Sequence, residues 1–232
     1  MTILPVLMAA IAPGIALLSY FYLKDRYETE PIHLVAKMFL LGMVLVLPAI
    51  VIQHGLQYEF GEGSWFTSFV ASAGLEEGLK WFLLVQLIYR HASFDEPYDG
   101  IVYAAAVSLG FATLENIFYA FLGSSSISSL LFRAFLPVSG HALFGVMMGY
   151  YLGKAKFTKD KAGWYLAVSL LLPLLWHGVY DLVLLKAKSN WLWIMVPLML
   201  YLWIRALGRV HRANDRSPFR SVAAGSDDKI KL

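Results

Sequence analysis

Apolar residues in this chain fall into long runs separated by short polar stretches. A run of ~20 such residues, at ~1.5 Å rise per residue, spans the hydrocarbon core of a bilayer as a helix. The first run, Thr2 to Leu23, is broken by Pro13-Gly14 and has no Lys or Arg before it. It lacks the basic start of a signal peptide and is expected to be a retained helix. After the polar Lys24–Pro31 comes a second run, about Ile32 to Gln53, and a linker from His54 to Ser64 without Lys or Arg. The third run is Trp65 to Tyr89 and the fourth, after His91–Tyr98, is Asp99 to Leu122. A Ser-rich turn at 124–129 leads to a fifth run ending near Gly153, followed by the basic loop Lys154–Lys161. The sixth is Trp164 to Leu185, and the seventh, Trp191 to about Leu207, carries Trp191 and Trp193 at one interface. The pattern predicts an all-α membrane protein, a polytopic bundle of about seven transmembrane helices. Residues 1–207 form the membrane unit, with core motifs in 65–185, and 208–232 form a basic cytoplasmic tail.

Composition agrees. Of 232 residues, 59% are hydrophobic and 15% charged, and the mean hydropathy is +0.61. A soluble domain carries about a quarter charged residues, so little is left for one. The absence of cysteine excludes disulfides and thiolate chemistry. The net charge of +3 matters less than its distribution. With the N-terminus outside, the inner segments hold fourteen basic residues: Lys24, Arg26, Arg90, Lys154, Lys156, Lys159, Lys161, Arg205, Arg209, Arg212, Arg216, Arg220, Lys229 and Lys231. The outer ones hold Lys186 and Lys188. This asymmetry predicts a multi-pass cell-membrane protein with the N-terminus outside and the C-terminus inside. Arg205, Arg209, Arg212 and Arg216 share one helical face, which contact with anionic lipid explains without nucleic acid.

The third run carries charge at its centre: Ser72-Ala-Gly-Leu-Glu76-Glu77-Gly-Leu-Lys80. An ionisable group at that depth costs at least ~2.5–3.5 kcal/mol, so three need partners or water. Lys80 lies one turn beyond both glutamates but can neutralise only one. Three later helices supply further polar groups: Glu115-Asn116 in the fourth, His141 four residues after Pro137 in the fifth, and His177 with Asp181 in the sixth. Each alone reads as a polar residue gluing helices together. Counted from the outer end of each span, however, Glu77, Glu115, His141 and His177 lie roughly 18, 10, 12 and 12 Å deep. That is one layer, reached from outside. Glu76, Glu77, Glu115 and Asp181 against Lys80 alone require either protonated carboxylates or a bound cation. Two imidazoles and carboxylates without thiolate suit Zn²⁺ with an open position for water. The metal-free alternative is a glutamate-activated water with histidine stabilising the oxyanion.

Other proteolytic signatures are missing. There is no His-Glu-x-x-His, Pro137-Val-Ser139-Gly140 lacks the first glycine of a Gly-x-Ser-Gly motif, and no Gly-x-Gly-Asp accompanies Tyr180-Asp181. Gly145, Gly149 and Gly153 form a small-residue stripe suited to close helix packing. A transporter or channel for protons or divalent cations is the rival class, since intramembrane acids and histidines also build relays. Against it stands the lack of an internal repeat. A non-catalytic scaffold would leave the glutamate pair unexplained.

Glu76-Glu77-Gly-Leu-Lys80, Asp99-Gly100, Gly110-Phe111 leading to Glu115-Asn116, His141, and His177 to Asp181 together resemble the PrsW family of intramembrane proteases, relatives of the CAAX-processing proteases. The resemblance runs in order over 76–181. It implies a membrane endopeptidase making the first, extracytoplasmic-side cut in a membrane-anchored anti-sigma factor. By position, Glu76 and Glu77 match the paired catalytic glutamates and Lys80 their basic companion. Glu115 with Asn116 occupies the second motif, where the CAAX branch has His. His177 with Asp181 matches the third, where that branch often has Asn. The expected catalytic set is Glu76, Glu77, Lys80, Glu115, Asn116, His141, His177 and Asp181. Glu77, Glu115, His141 and His177 are the metal candidates.

Overall fold

The computed structural model describes residues 3–122, 130 and 132–220. The expected Ser-rich turn at 124–129 lies outside the described residues. Among these residues the chain forms seven long helices and no strand. They are α1 (Ile3–Leu23), α2 (Ile32–Phe60), α3 (Ser64–Phe66, Thr67–Ser72 and Ala73–Leu87 end to end), α4 (Asp99–Leu122), α5 (Ala134–Phe157), α6 (Ala162–Lys186) and α7 (Trp191–Asn214). All but α3 are long and apolar enough to cross a membrane by length and composition. The exception, α3, was expected to span as well; it is interrupted by the π-helical stretch Thr67–Ser72 and carries Glu76, Glu77 and Lys80. The protein is an all-α, polytopic, multi-pass membrane protein.

The core is built around α4, which is buried almost from Asp99 to Thr113 and packs on α1, α2 and α5. Its small residues allow this. A Cβ at Gly110 would run into the carbonyl of Phe39 on α2, and one at Gly149 of α5 into the carbonyl of Gly100. Gly145 and Gly149 thus lie against α4 at backbone contact, and Gly153 against Pro97 just before it, the close packing their spacing implied. Exposed apolar side chains such as Leu40, Val51, Leu171 and Ile204 remain on the outer faces, where lipid covers them.

Several boundaries differ from the hydropathy pattern. Pro13 does not break α1, which runs through it, and Gly14 beside it lets the helix meet Thr113 of α4 closely. Neighbouring helices compensate the hydrogen bond that proline removes. The second helix continues past Gln53 to Phe60 and stops at Gly61, whose φ of 84° no L-side chain adopts comfortably. The last helix continues past Leu207 to Asn214, because Arg209 lies over the Tyr151 ring and Asn214 donates to the Lys24 carbonyl at 3.2 Å. That bond, with Tyr98 Oη donating to the Phe21 carbonyl at 2.8 Å and Lys156 Nζ to the His91 carbonyl at 3.1 Å, ties together one end of the bundle.

Candidate active site

At the other end, α3, α4, α5 and α6 converge. The α3 stretch Thr67–Ser72 is π-helical, so the ladder loosens just before the two glutamates. Ser72 ends that stretch. Its Oγ donates to Asp181 Oδ2 at 2.5 Å and lies 3.4 Å from Glu76 Oε1, joining α3 to α6. On α5, Pro137 sits in a second π-helical turn, Ala134–Val138, one turn ahead of His141. Both irregular turns lie at the entrance to the polar layer.

Lys80 is the hub, with Glu77 and Lys80 fully enclosed. Its Nζ lies 2.8 Å from Glu77 Oε1, 3.5 Å from Glu76 Oε2 and 3.1 Å from His141 Nδ1, and 4.1 Å above the centre of the Phe111 ring. An ammonium only donates, so Nδ1 of His141 accepts. The ring proton is then on Nε2, which donates to Glu115 Oε2 at 2.9 Å. His177 Nδ1 donates to Glu77 Oε1 at 3.0 Å, and its Nε2 faces Asp181 Oδ2 at 3.6 Å. Glu77 Oε1 therefore receives two donors while Oε2, also enclosed, receives none among the described residues. The two imidazoles meet edge to face at 5.1 Å, and Phe144 stacks on His177 at 5.0 Å. Glu115 and Asp181 keep 29% and 20% of their side chains exposed, so they form the open rim over a closed floor.

Seven of the eight residues singled out from sequence thus meet in one network. Asn116 is engaged elsewhere: its Nδ2 donates to the Ala10 carbonyl of α1 at 2.9 Å and its Oδ1 accepts from Arg133 Nε at 2.9 Å. Sequence reasoning missed Ser72, although its spacing one turn before Glu76 puts it on the same face. It also missed Arg133, whose guanidinium covers the Tyr119 ring. Glu76, Glu77, His141 and His177 each offer a ligand atom within 4.8 Å of the others. This buried N/O set, with its orphaned Glu77 oxygen, fits a Zn²⁺-class ion in donor chemistry. Glu115 adjoins the set through His141.

The match to known proteins is broad. A family model described as PrsW family intramembrane metalloprotease matches residues 30–204. The chain is 55% identical over 210 residues to Protease PrsW of Bacillus subtilis (strain 168), covering 90% of this chain and 95% of the relative. It is 53% identical over 206 residues to Protease PrsW of Geobacillus kaustophilus (strain HTA426), covering 88% and 90%. Protease PrsW of Clostridioides difficile (strain 630) is 34% identical over 209 residues, covering 87% of each chain. No solved structure matches the chain. With a matching family model over most of its length, and relatives alike from end to end, the chain belongs to the PrsW family of intramembrane metalloproteases.

Proposed function

We propose that this protease cleaves a membrane-anchored anti-sigma factor from the extracytoplasmic side of the cell membrane, with its N-terminus outside and its C-terminus inside. The observation that carries the reading is the enclosed carboxylate–ammonium–imidazole network with a half-open acidic rim. A closed floor holds charged groups in a defined geometry, and an open rim admits water and an extended peptide bond. The fourteen-to-two distribution of basic residues supports the orientation, since the rim lies at the end opposite the basic loops.

Glu77 Oε2, enclosed and without a donor, takes the proton from the attacking water as general base. Lys80 and His177 hold Oε1 and so aim the carboxylate. His141, its Nδ1 accepting from Lys80 and its Nε2 donating to Glu115, keeps the Lys80 ammonium in place beside Glu77. Asp181, held by Ser72, orients His177. The residues that would hold Zn²⁺ are Glu77, His141 and His177, with Glu76 in the same group and Glu115 behind His141. Bound there, the ion would supply Lewis acidity toward water and the scissile carbonyl. Residues 1–207 form the protease unit in this reading, and 208–232 an inner-side tail against anionic lipid.

The test is cleavage of a tagged single-span anti-sigma factor by purified protein in proteoliposomes. Glu77→Gln keeps shape but removes the proton acceptor, and is expected to abolish cleavage with folding intact. Cleavage at the wild-type rate by that variant would remove the central claim. Against a transporter, Ala104, Ala105, Ala106, Val107 and Leu109 of α4, between the rim and the other end, are fully buried.

A further inference from the structure

A second group of acids is buried at the opposite end of α4, about 24 Å from Glu115 along the helix at ~1.5 Å per residue. Asp25 follows α1, Glu96 lies in the α3–α4 connection, and Asp99 begins α4. Each brings a carboxylate oxygen within 4.8 Å of the other two. They are 7%, 0% and 0% exposed. Glu30, before α2, adjoins them: its carboxylate accepts from Tyr103 Oη, and its carbonyl from Tyr22 Oη at 2.9 Å. Asp99 Oδ2 accepts the backbone N–H of Asp95 at 2.8 Å and of Glu96 at 2.7 Å.

The remaining oxygens lie against other carboxylates. Both of Asp25, both of Glu96 and Oδ1 of Asp99 lack a hydrogen-bond partner among the described residues. No Lys or Arg pairs with Asp25, Glu30, Glu96 or Asp99 among them either. Lys156, the nearby cation, is turned to the His91 carbonyl and the Phe94 ring. An unpartnered buried polar atom is costly, and more so when charged. Five from three separate chain segments, aimed at one another, call for a positive centre between them. Beside Glu30 a cavity of about 310 Å³, lined by Glu28, Glu30, Ser93 and Asp95 among others, opens toward solvent and gives an ion a way in.

We propose that Asp25, Glu96 and Asp99, with Glu30 at the mouth, bind a hard divalent cation that fastens the α1–α2 and α3–α4 connections to the start of α4. The donors are carboxylate oxygens without imidazole or thiolate, which selects Ca²⁺ or Mg²⁺ over Zn²⁺ and sets this site apart from the N/O set at the rim. Three carboxylates from irregular segments match the flexible coordination of Ca²⁺ better than the octahedron of Mg²⁺. The site is independent of the proteolytic reading.

Purified full-length protein, stripped with chelator, is titrated with Tb³⁺, a luminescent stand-in for Ca²⁺ that Tyr103 and Tyr98 would sensitise. Saturable emission displaced by Ca²⁺ at lower concentration than by Mg²⁺ is the expected result, together with a Ca²⁺-dependent rise in the unfolding midpoint. Glu96→Gln should weaken Tb³⁺ binding about tenfold or more, and the double variant His141→Ala/His177→Ala should leave it unchanged. If Glu96→Gln does not fold, Asp25→Asn and the wild-type midpoint shift carry the test. Emission undiminished in the Glu96 or Asp25 variant overturns the site. So does a wild-type midpoint that ignores Ca²⁺ and rises only on acidification, which would mean shared protons instead.

Discussion

Replacing Lys80 with methionine keeps an unbranched side chain, one atom shorter, and removes the ammonium. Its Nζ lies 2.8 Å from Glu77, 3.1 Å from His141 and 3.5 Å from Glu76, so it touches three of the four groups able to hold a metal. Lys80 and Glu77 are both fully buried, so loss of the ammonium leaves the Glu77 carboxylate without its counter-charge. Breaking a buried pair from one side costs about 3–5 kcal/mol, most of it the uncompensated partner. At roughly 2–4 °C per kcal/mol for a chain of this size, the midpoint should fall by about 6–20 °C. The assay is thermal unfolding of purified protein in detergent with chelator present. Adding Glu77→Gln should recover most of the loss, because an amide needs no counter-charge, so the two changes should couple strongly. Excess Zn²⁺ should also recover part of it, since an ion bound only by the folded state stabilises by about 4 kcal/mol at a thousand times its Kd. A Lys80→Met protein within about 0.5 kcal/mol of wild type in chelator would refute the argument, because that is the range of unremarkable surface changes.

Gly149→Leu drives a side chain into the Gly100 carbonyl and should cost at least about 1–3 kcal/mol, read as a lower unfolding midpoint; a folded variant with an unchanged midpoint would mean that α4 and α5 are not in backbone contact. Cleavage should be lost on dialysis against a strong chelator, return with Zn²⁺, and fall as pH drops through the histidine range, since protons compete for the ligands. Full activity in protein shown metal-free by elemental analysis would leave the glutamate-activated water as the mechanism. In cation-stripped protein, burial raises Asp25 to about 8 and Glu30 to about 7 from ordinary values of 3.8 and 4.5. The folded state therefore holds protons more tightly, so this contribution to stability is full below pH 4 and is lost as pH rises toward 8. A flat midpoint over that range in chelator would contradict it.

How much of this was legible depended on whether the relevant forces act along one helix or between helices. The limits of α4, Asp99 to Leu122, were readable because a charged residue and a change in composition mark both ends. The convergence of Glu77, His141 and His177 was readable because depth in a bilayer follows from counting residues. The ends of α2 and α7 were not, because His54–Phe60 and Arg209–Asn214 are polar enough to pass for loops and are helical through continued hydrogen bonding and packing. The π-helical stretch at Thr67–Ser72 left no signal in hydropathy, since it depends on how Ser72 reaches Asp181 across to α6. The acidic group at the far end was overlooked because Asp25 and Glu96 read as ordinary solvated loop residues and Asp99 as the start of a helix. The available clue was that two facing loops, Lys24–Pro31 and His91–Tyr98, carry three and two acids.

The placement of protons narrows the roles within the proposed reaction. Lys80 cannot accept a hydrogen bond, so its contact with His141 Nδ1 fixes that ring with its proton on Nε2, toward Glu115. Glu115 is therefore already accepting a proton-bearing nitrogen and is poorly placed to act as the base. Glu76 keeps Lys80 at 3.5 Å and Ser72 at 3.4 Å, both at the margin of useful contact. Glu77 alone combines complete enclosure, two strong donors on one oxygen and none on the other. Two donors aim the carboxylate through one oxygen and leave the other bare. The asymmetry between two adjacent glutamates follows from helix geometry. At i+3 rather than i+4 from Lys80, residue 77 faces His177 on α6, whereas residue 76 faces the rim.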